Sequence, residues 1–195
     1  MGILWDGNTM PKNTALIIIS GLPCSGKTTL AKKIAEEFML PFVSRDDIKE
    51  RIFDDLGYRN REWSRKIGTT SYTLLYYFAE SMLKAGASLL LESNFNPKFD
   101  SLRFEDLAAK YEFTPLQIYC KSDRAVLFER FKKRATSPER HPGHVDHLNF
   151  GEFKDTLSKS DDQALTISGQ TISVDTTDFA AINYTLIADA IRSLL

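Results

Sequence analysis

Near the start of this chain the segment Gly21-Leu22-Pro23-Cys24-Ser25-Gly26-Lys27-Thr28 fits the pattern GxxxxGK[ST], and no other feature narrows the possible folds as far. Its flanks matter as much as its letters. Ala15 to Ser20 (ALIIIS) is a continuous apolar, β-branched run, as expected of a strand covered on both faces. From Lys27 onward Leu30, Ile34, Ala35 and Phe38 recur at helical spacing until Pro41 stops the pattern. Between a strand and a helix, glycines let the backbone wrap a phosphate closely, successive N–H groups point inward, and the helix offers the positive end of its dipole. The segment from Gly21 to Thr29 (Gly21, Leu22, Pro23, Cys24, Ser25, Gly26, Lys27, Thr28, Thr29) is therefore read as a cradle for the triphosphate of ATP. In it Lys27 is expected to reach the β- and γ-phosphates and Thr28 to ligate Mg²⁺.

With 195 residues the chain has room for one core, and its 43% apolar and 26% charged content is that of a folded globular protein. No apolar run approaches the roughly 18 residues that a membrane helix needs. Residues 1–13 lack a basic head followed by an apolar stretch, so they read as a loose N-terminal arm, and a cytoplasmic location is expected. Cys24 and Cys120 stand far apart, which favours reduced thiols. A net charge of −1 argues against coating of extended nucleic acid and leaves a short anionic ligand or a single strand end as partners.

Strands and helices alternate along the rest of the chain. Strands are expected at Pro41–Val43, Ser88–Glu92, Pro115–Cys120 and Thr171–Val174, and helices from Ser44 towards Asp55, then at 61–84, 99–111, 123–134 and 179–195. This order predicts an α/β fold of three layers, a parallel five-stranded sheet with helices on both faces, spanning residues 14–195. Residues 130–151 are expected to form a lid. Thr136 to Gly151, holding Pro138, Pro142, Gly143 and all three histidines, reads as a solvated flap, and a zinc site at His141, His144 and His147 is disfavoured for lack of a further ligand. Tyr72, Tyr76, Tyr77 and Phe78 are expected to be mostly core, with room for one or two to line an acceptor pocket.

Nothing matches the NKxD guanine signature, and there is no second lobe for a mechanical ATPase, so a small kinase suits the length best. Transfer to a hydroxyl needs a carboxylate to orient and deprotonate it, and cations to hold the migrating charge. Arg45-Asp46-Asp47 follows the second strand. Ser44 and Asp47 have the spacing of a capping box, which gives Asp47 a structural task and leaves Asp46 as the base. Glu92, ending the third strand, is the candidate Mg²⁺ carboxylate beside Thr28. Arg130 and Arg134 lie four apart and share a helix face leading into the flap.

The segments GLPCSGKTTLA, SRDDIK, LLLESNFNP and LFERFKKR resemble the landmarks of P-loop polynucleotide kinases of the phage type and of their zeta-toxin-like and chloramphenicol-phosphotransferase-like relatives, over about Leu16 to Arg134. The resemblance implies that Asp46 is the general base, that Lys49 stands where an arginine helps hold the acceptor's phosphate, and that Asn94 contacts the acceptor. It also implies that Arg130 and Arg134 grip the ATP phosphates; where the family usually carries aspartate, this chain has Glu92. The expected activity is ATP- and Mg²⁺-dependent phosphorylation of a small alcohol such as a sugar, nucleoside or antibiotic. A polynucleotide 5′-hydroxyl is the alternative acceptor, and a nucleotide-binding switch with little transferase activity is the reading from another class. The phosphatase motif DxDxT is absent.

Overall fold

The computed structural model describes residues 14–195; the proposed N-terminal arm, residues 1–13, lies outside them. Five strands form one parallel sheet in the order β2-β3-β1-β4-β5: β1 (Ala15–Gly21), β2 (Phe42–Ser44), β3 (Leu89–Glu92), β4 (Thr114–Lys121) and β5 (Gln170–Asp175). Each of these connections is a crossover, and helices cover both faces: α1 (Lys27–Phe38), α2 (Arg45–Leu56), α3 (Arg61–Lys84), α4 (Pro97–Lys110), α5 (Arg124–Ala135), α6 (Phe150–Lys159) and α7 (Tyr184–Arg192). The expected three-layer α/β architecture is what the chain adopts.

Strand β1 is buried at every residue because it is central and covered on both sides. Its pleat divides the core. Ile17 and Ile19 pack with Leu30 and Ile34 of α1 and Ile187 and Ile191 of α7 on one face. Leu16 and Ile18 pack with Leu75 and Ala79 of α3 and Phe104 and Leu107 of α4 on the other. The buried Gln117 of β4 is fully engaged: its amide oxygen accepts from Ser20 Oγ and the Leu165 N–H, and its amide nitrogen donates to the Leu165 carbonyl and Thr171 Oγ1. A third cluster, Leu127 and Phe131 of α5 with Phe153 and Leu157 of α6, lies apart from the sheet and joins these two helices.

Several local expectations give way to the structure. Ser44 does precede α2, but its hydroxyl makes no cap bond and donates instead to Glu92 Oε2 at 2.9 Å, so the capping box with Asp47 does not form. The flap is not a solvated loop: a 3₁₀ turn at Pro142–His144 meets Phe53 of α2 with His144 buried, and a second at Asp146–Leu148 lies against α5. His141 stacks on Phe53 at 5.4 Å, and His144 meets the same ring edge-on at 5.9 Å. Helix α6 was not foreseen, because Gly151 reads as a breaker although Phe150, Phe153 and Leu157 hold helical spacing. The last helix is shorter than expected: a 3₁₀ turn at Phe179–Ala181 precedes α7, whose N-cap is Asn183. Tyr77 and Phe78 are exposed rather than core. Among the described residues no helix is long and apolar enough to cross a membrane.

Candidate functional site

The sheet directs the carboxyl ends of β1, β2 and β3 towards one crevice, where such folds bind ligands. The turn after β1 needs glycine at two places. A Cβ at Gly21, where φ is 137°, would lie 2.2 Å from the Cys120 carbonyl oxygen. Gly26 sits in left-handed backbone (φ 80°) and so does Cys24 (φ 68°), bending the chain into a concave turn at the start of α1. Lys27 is buried and its ammonium donates to the Leu22 carbonyl at 2.8 Å, inside the turn. Burial lowers the Lys27 pKa while Glu92 opposes the shift. The buried Ser25 hydroxyl has no hydrogen-bond partner. An ammonium folded back on its own concave turn fits a cradle for phosphate oxygens.

Glu92 Oε2 accepts from Thr28 Oγ1 at 3.1 Å and from Ser44 Oγ at 2.9 Å, so the starts of α1 and α2 meet at the end of β3. Burial raises the Glu92 pKa, with Lys27 opposing. A carboxylate and two hydroxyls form a hard-oxygen donor set that suits magnesium held partly by water and phosphate.

Across the same cavity stands Asp46. Its Oδ1 accepts from Arg45 at 2.5 Å and its Oδ2 from Arg140 at 3.5 Å. Burial alone would raise its carboxyl, but Arg45, His144 and Arg140 hold it far below the usual carboxylate range. Lys49, one turn on, is buried and donates to Ser64 Oγ at 3.0 Å. Burial and then Arg45 push its ammonium down to about 8. Arg130 is tied to the loop after β5 through the carbonyls of Thr176 (2.8 Å) and Thr177 (3.0 Å). Arg134 and Arg140 share Asp146 Oδ2, at 3.4 and 2.8 Å. The buried Nε atoms of Arg45 and Arg134 have no hydrogen-bond partner.

A cavity of about 850 Å³ joins these groups, large enough for a nucleotide and a second small molecule. It brings together Pro23, Cys24, Gly26, Lys27, Thr28, Thr29, Asp46, Lys49, Glu92, Asn94, Arg130 and Arg134 from the sequence-based expectations. Gly21 and Leu22 line a neighbouring cavity of about 320 Å³, and Ser25 lines neither. Sequence reasoning missed Arg45, Arg61, Arg65, Arg140, Asp146 and Glu152. Arg45 adjoins Asp46, and Arg61 and Arg65 stand four apart on α3, so a search for cations at helical spacing would have found them.

Comparison with known proteins places this geometry among its relatives. A "putative kinase" from Chloroflexus aurantiacus J-10-fl superposes with a TM-score of 0.87 at 39% identity, over 94% of this chain and 100% of that one. A sugar kinase from Janibacter sp. HTCC2649 shares the fold at 17% identity and a TM-score of 0.54, over 92% of this chain and 93% of that one. A curated relative, the cytidylate kinase of Ignicoccus hospitalis, is 43% identical over 42 residues, or 22% of this chain; the match spans only 24% of that relative's length. The model of the AAA domain family AAA_33 matches residues 16–159, from within β1 to the last residue of α6. The chain belongs to this AAA domain family.

Proposed function

We propose that the protein is an ATP-dependent phosphotransferase that moves the γ-phosphate to a hydroxyl of a small molecule, in the manner of the polynucleotide kinase, zeta-toxin and chloramphenicol phosphotransferase group that its motifs resemble. One observation carries the reading: the concave turn around Lys27 and the carboxylate of Asp46 line a single cavity, so a phosphate donor and an alcohol can meet between them. The kinase names of its relatives point the same way.

In this reading the turn from Gly21 to Thr29 holds the ATP phosphates, and Thr28 and Glu92 hold Mg²⁺, directly or through water. The metal supplies charge neutralisation at the phosphate oxygens. Asp46 accepts a hydrogen bond from the acceptor hydroxyl and orients it. Its strongly depressed pKa makes it a positioning base, one that takes the proton late as the alcohol oxygen loses charge to phosphorus. Lys27, Arg130 and Arg134 hold the charge that spreads over the transferring group. Lys49 and Asn94 line the acceptor's part of the cavity.

A polynucleotide 5′-hydroxyl is the second reading, favoured by the cations Lys49, Arg61 and Arg65 that line the cavity. Labelled ATP incubated with a panel of oligonucleotides and metabolite alcohols separates the two. A small acceptor gives transfer with weak salt dependence, whereas an oligonucleotide gives transfer that falls steeply with salt. If no acceptor in either panel is labelled while ATP binds, the transfer reading fails and a nucleotide-binding switch takes its place.

A further inference from the structure

Arg61 and Arg65 stand one turn apart on α3 and line the cavity that holds Lys27 and Asp46. Their occupant comes from α6. Glu152 accepts from Arg61 Nε at 3.0 Å, from the second Arg61 nitrogen at 2.5 Å, and from Arg65 at 3.2 Å. This is the two-pronged geometry that a guanidinium offers any carboxylate or phosphate. The surrounding charge is unbalanced. From α2, α3 and α6 the cavity is lined by Arg45, Lys49, Arg61 and Arg65 against Asp46 and Glu152. Asp46 is already engaged by Arg45 and Arg140. Lys49, buried beside Gly68, has a hydroxyl rather than a carboxylate as its hydrogen-bond partner. The two guanidiniums thus share one carboxylate, and that carboxylate sits on a helix continuous with the lid. An outside oxyanion would relieve the mutual repulsion better than Glu152 alone.

We infer that Arg61 and Arg65 form an anion subsite of the acceptor site, occupied by the Glu152 carboxylate until an acceptor carrying its own phosphate or carboxylate displaces it. The inference rests on the transfer reading for the identity of the site, and it narrows the acceptor to an alcohol with a negative group away from the reacting hydroxyl. Glu152 acts as an internal stand-in: it keeps the cations compensated and holds α6 against α3 before the acceptor enters.

The test is a calorimetric titration of the full chain, first saturated with Mg·AMP-PNP so that the phosphate cradle is filled. Glycerol 3-phosphate, glycerate and neutral glycerol serve as probes. Wild type is expected to bind the two anions and not glycerol, with the stronger of the two naming the charged group. Arg61→Ala is expected to weaken anion binding about tenfold, and Arg61→Lys by less, since it keeps charge but loses the fork. Glu152→Gln is expected to tighten anion binding about threefold, because the internal competitor is gone, a gain that a merely structural ion pair would not give. Glycerol binding as well as glycerol 3-phosphate, no loss in Arg61→Ala, or no gain in Glu152→Gln overturns the subsite. The wild-type comparison of charged with neutral probe needs no variant, and circular dichroism shows whether each variant is folded. The preceding AMP-PNP titration reports on the nucleotide cradle by itself, so failure of the transfer reading and failure of the subsite are read apart.

Discussion

Asp46 and Lys49 lie one turn apart on α2, and the structure gives them opposite electrostatic settings. Asp46 is held ionised by Arg45, His144 and Arg140. Asp46→Asn keeps the shape but cannot take a proton; transfer is expected to fall by about 10²- to 10⁴-fold while ATP affinity measured by calorimetry stays within about threefold. Lys49 is the group whose charge changes near neutrality, with its ammonium pushed down to about 8. Between pH 8 and its ordinary 10.5 the unfolded chain is protonated there and the folded chain is not, so this residue makes stability rise with pH across that window. Below pH 8 both states carry the charge and its burial is a fixed cost. Lys49→Met should flatten the slope of chemically measured unfolding free energy over that window. An anionic acceptor should show KM rising above about pH 8, and Lys49→Arg, which stays charged, should abolish the rise. At this scale the sequence was partly legible. The distinction between Asp46 and Asp47 by capping does not hold, because Ser44 bonds Glu92 across the sheet, a contact 48 positions away that local spacing cannot reveal. Asp46 lines the cavity and Asp47 does not.

Among the elements, the segment from Arg140 to His144 carries the most unexpected structure. It docks on α2 by apolar stacking and by charge together: His144 Nε2 lies 2.8 Å from Glu50, and Arg140 reaches Asp46, Glu50 and Asp146. Burial lowers the His144 pKa. Gly143 permits the close approach, since a Cβ there would fall 2.3 Å from the Phe53 ring. Gly143→Ala should therefore push the turn off α2, cost about 1–3 kcal/mol, and raise amide exchange at residues 141–149 without unfolding the sheet. Unchanged exchange there would contradict the packing described. Strands and long helices were legible because their apolar periodicity is set by the sheet's two faces. The lid was not: Pro, Gly and His signal a loop, and its order comes from Phe53 and the carboxylates of α2, which are remote in sequence. Helix α6 was missed for a related reason, its apolar face being paired with α5 and with Leu22 and Cys24, all remote in sequence.

Among the described residues the sheet gathers the site at the carboxyl ends of its strands. Order β2-β3-β1-β4-β5 brings Thr28, Ser44 and Glu92 to one point, and the chain from α5 to α6 roofs the same cavity. Architecture followed from alternation of strands and helices and was readable in full outline. What the cavity accepts was not, because the further cations that line it, Arg61, Arg65 and Arg140, come from α3 and the lid, elements whose approach depends on tertiary packing. A ligand that binds only the folded chain must stabilise it by mass action, so Mg·ATP at about 100 times its dissociation constant should add about 2.7 kcal/mol and raise the melting temperature. Lys27→Ala should lose that gain. The most direct test of the central claim is calorimetric titration of the full chain with Mg·ATP. The account predicts saturable one-to-one binding that Lys27→Ala removes; absence of heat in the wild type, or equal binding in the variant, would contradict it.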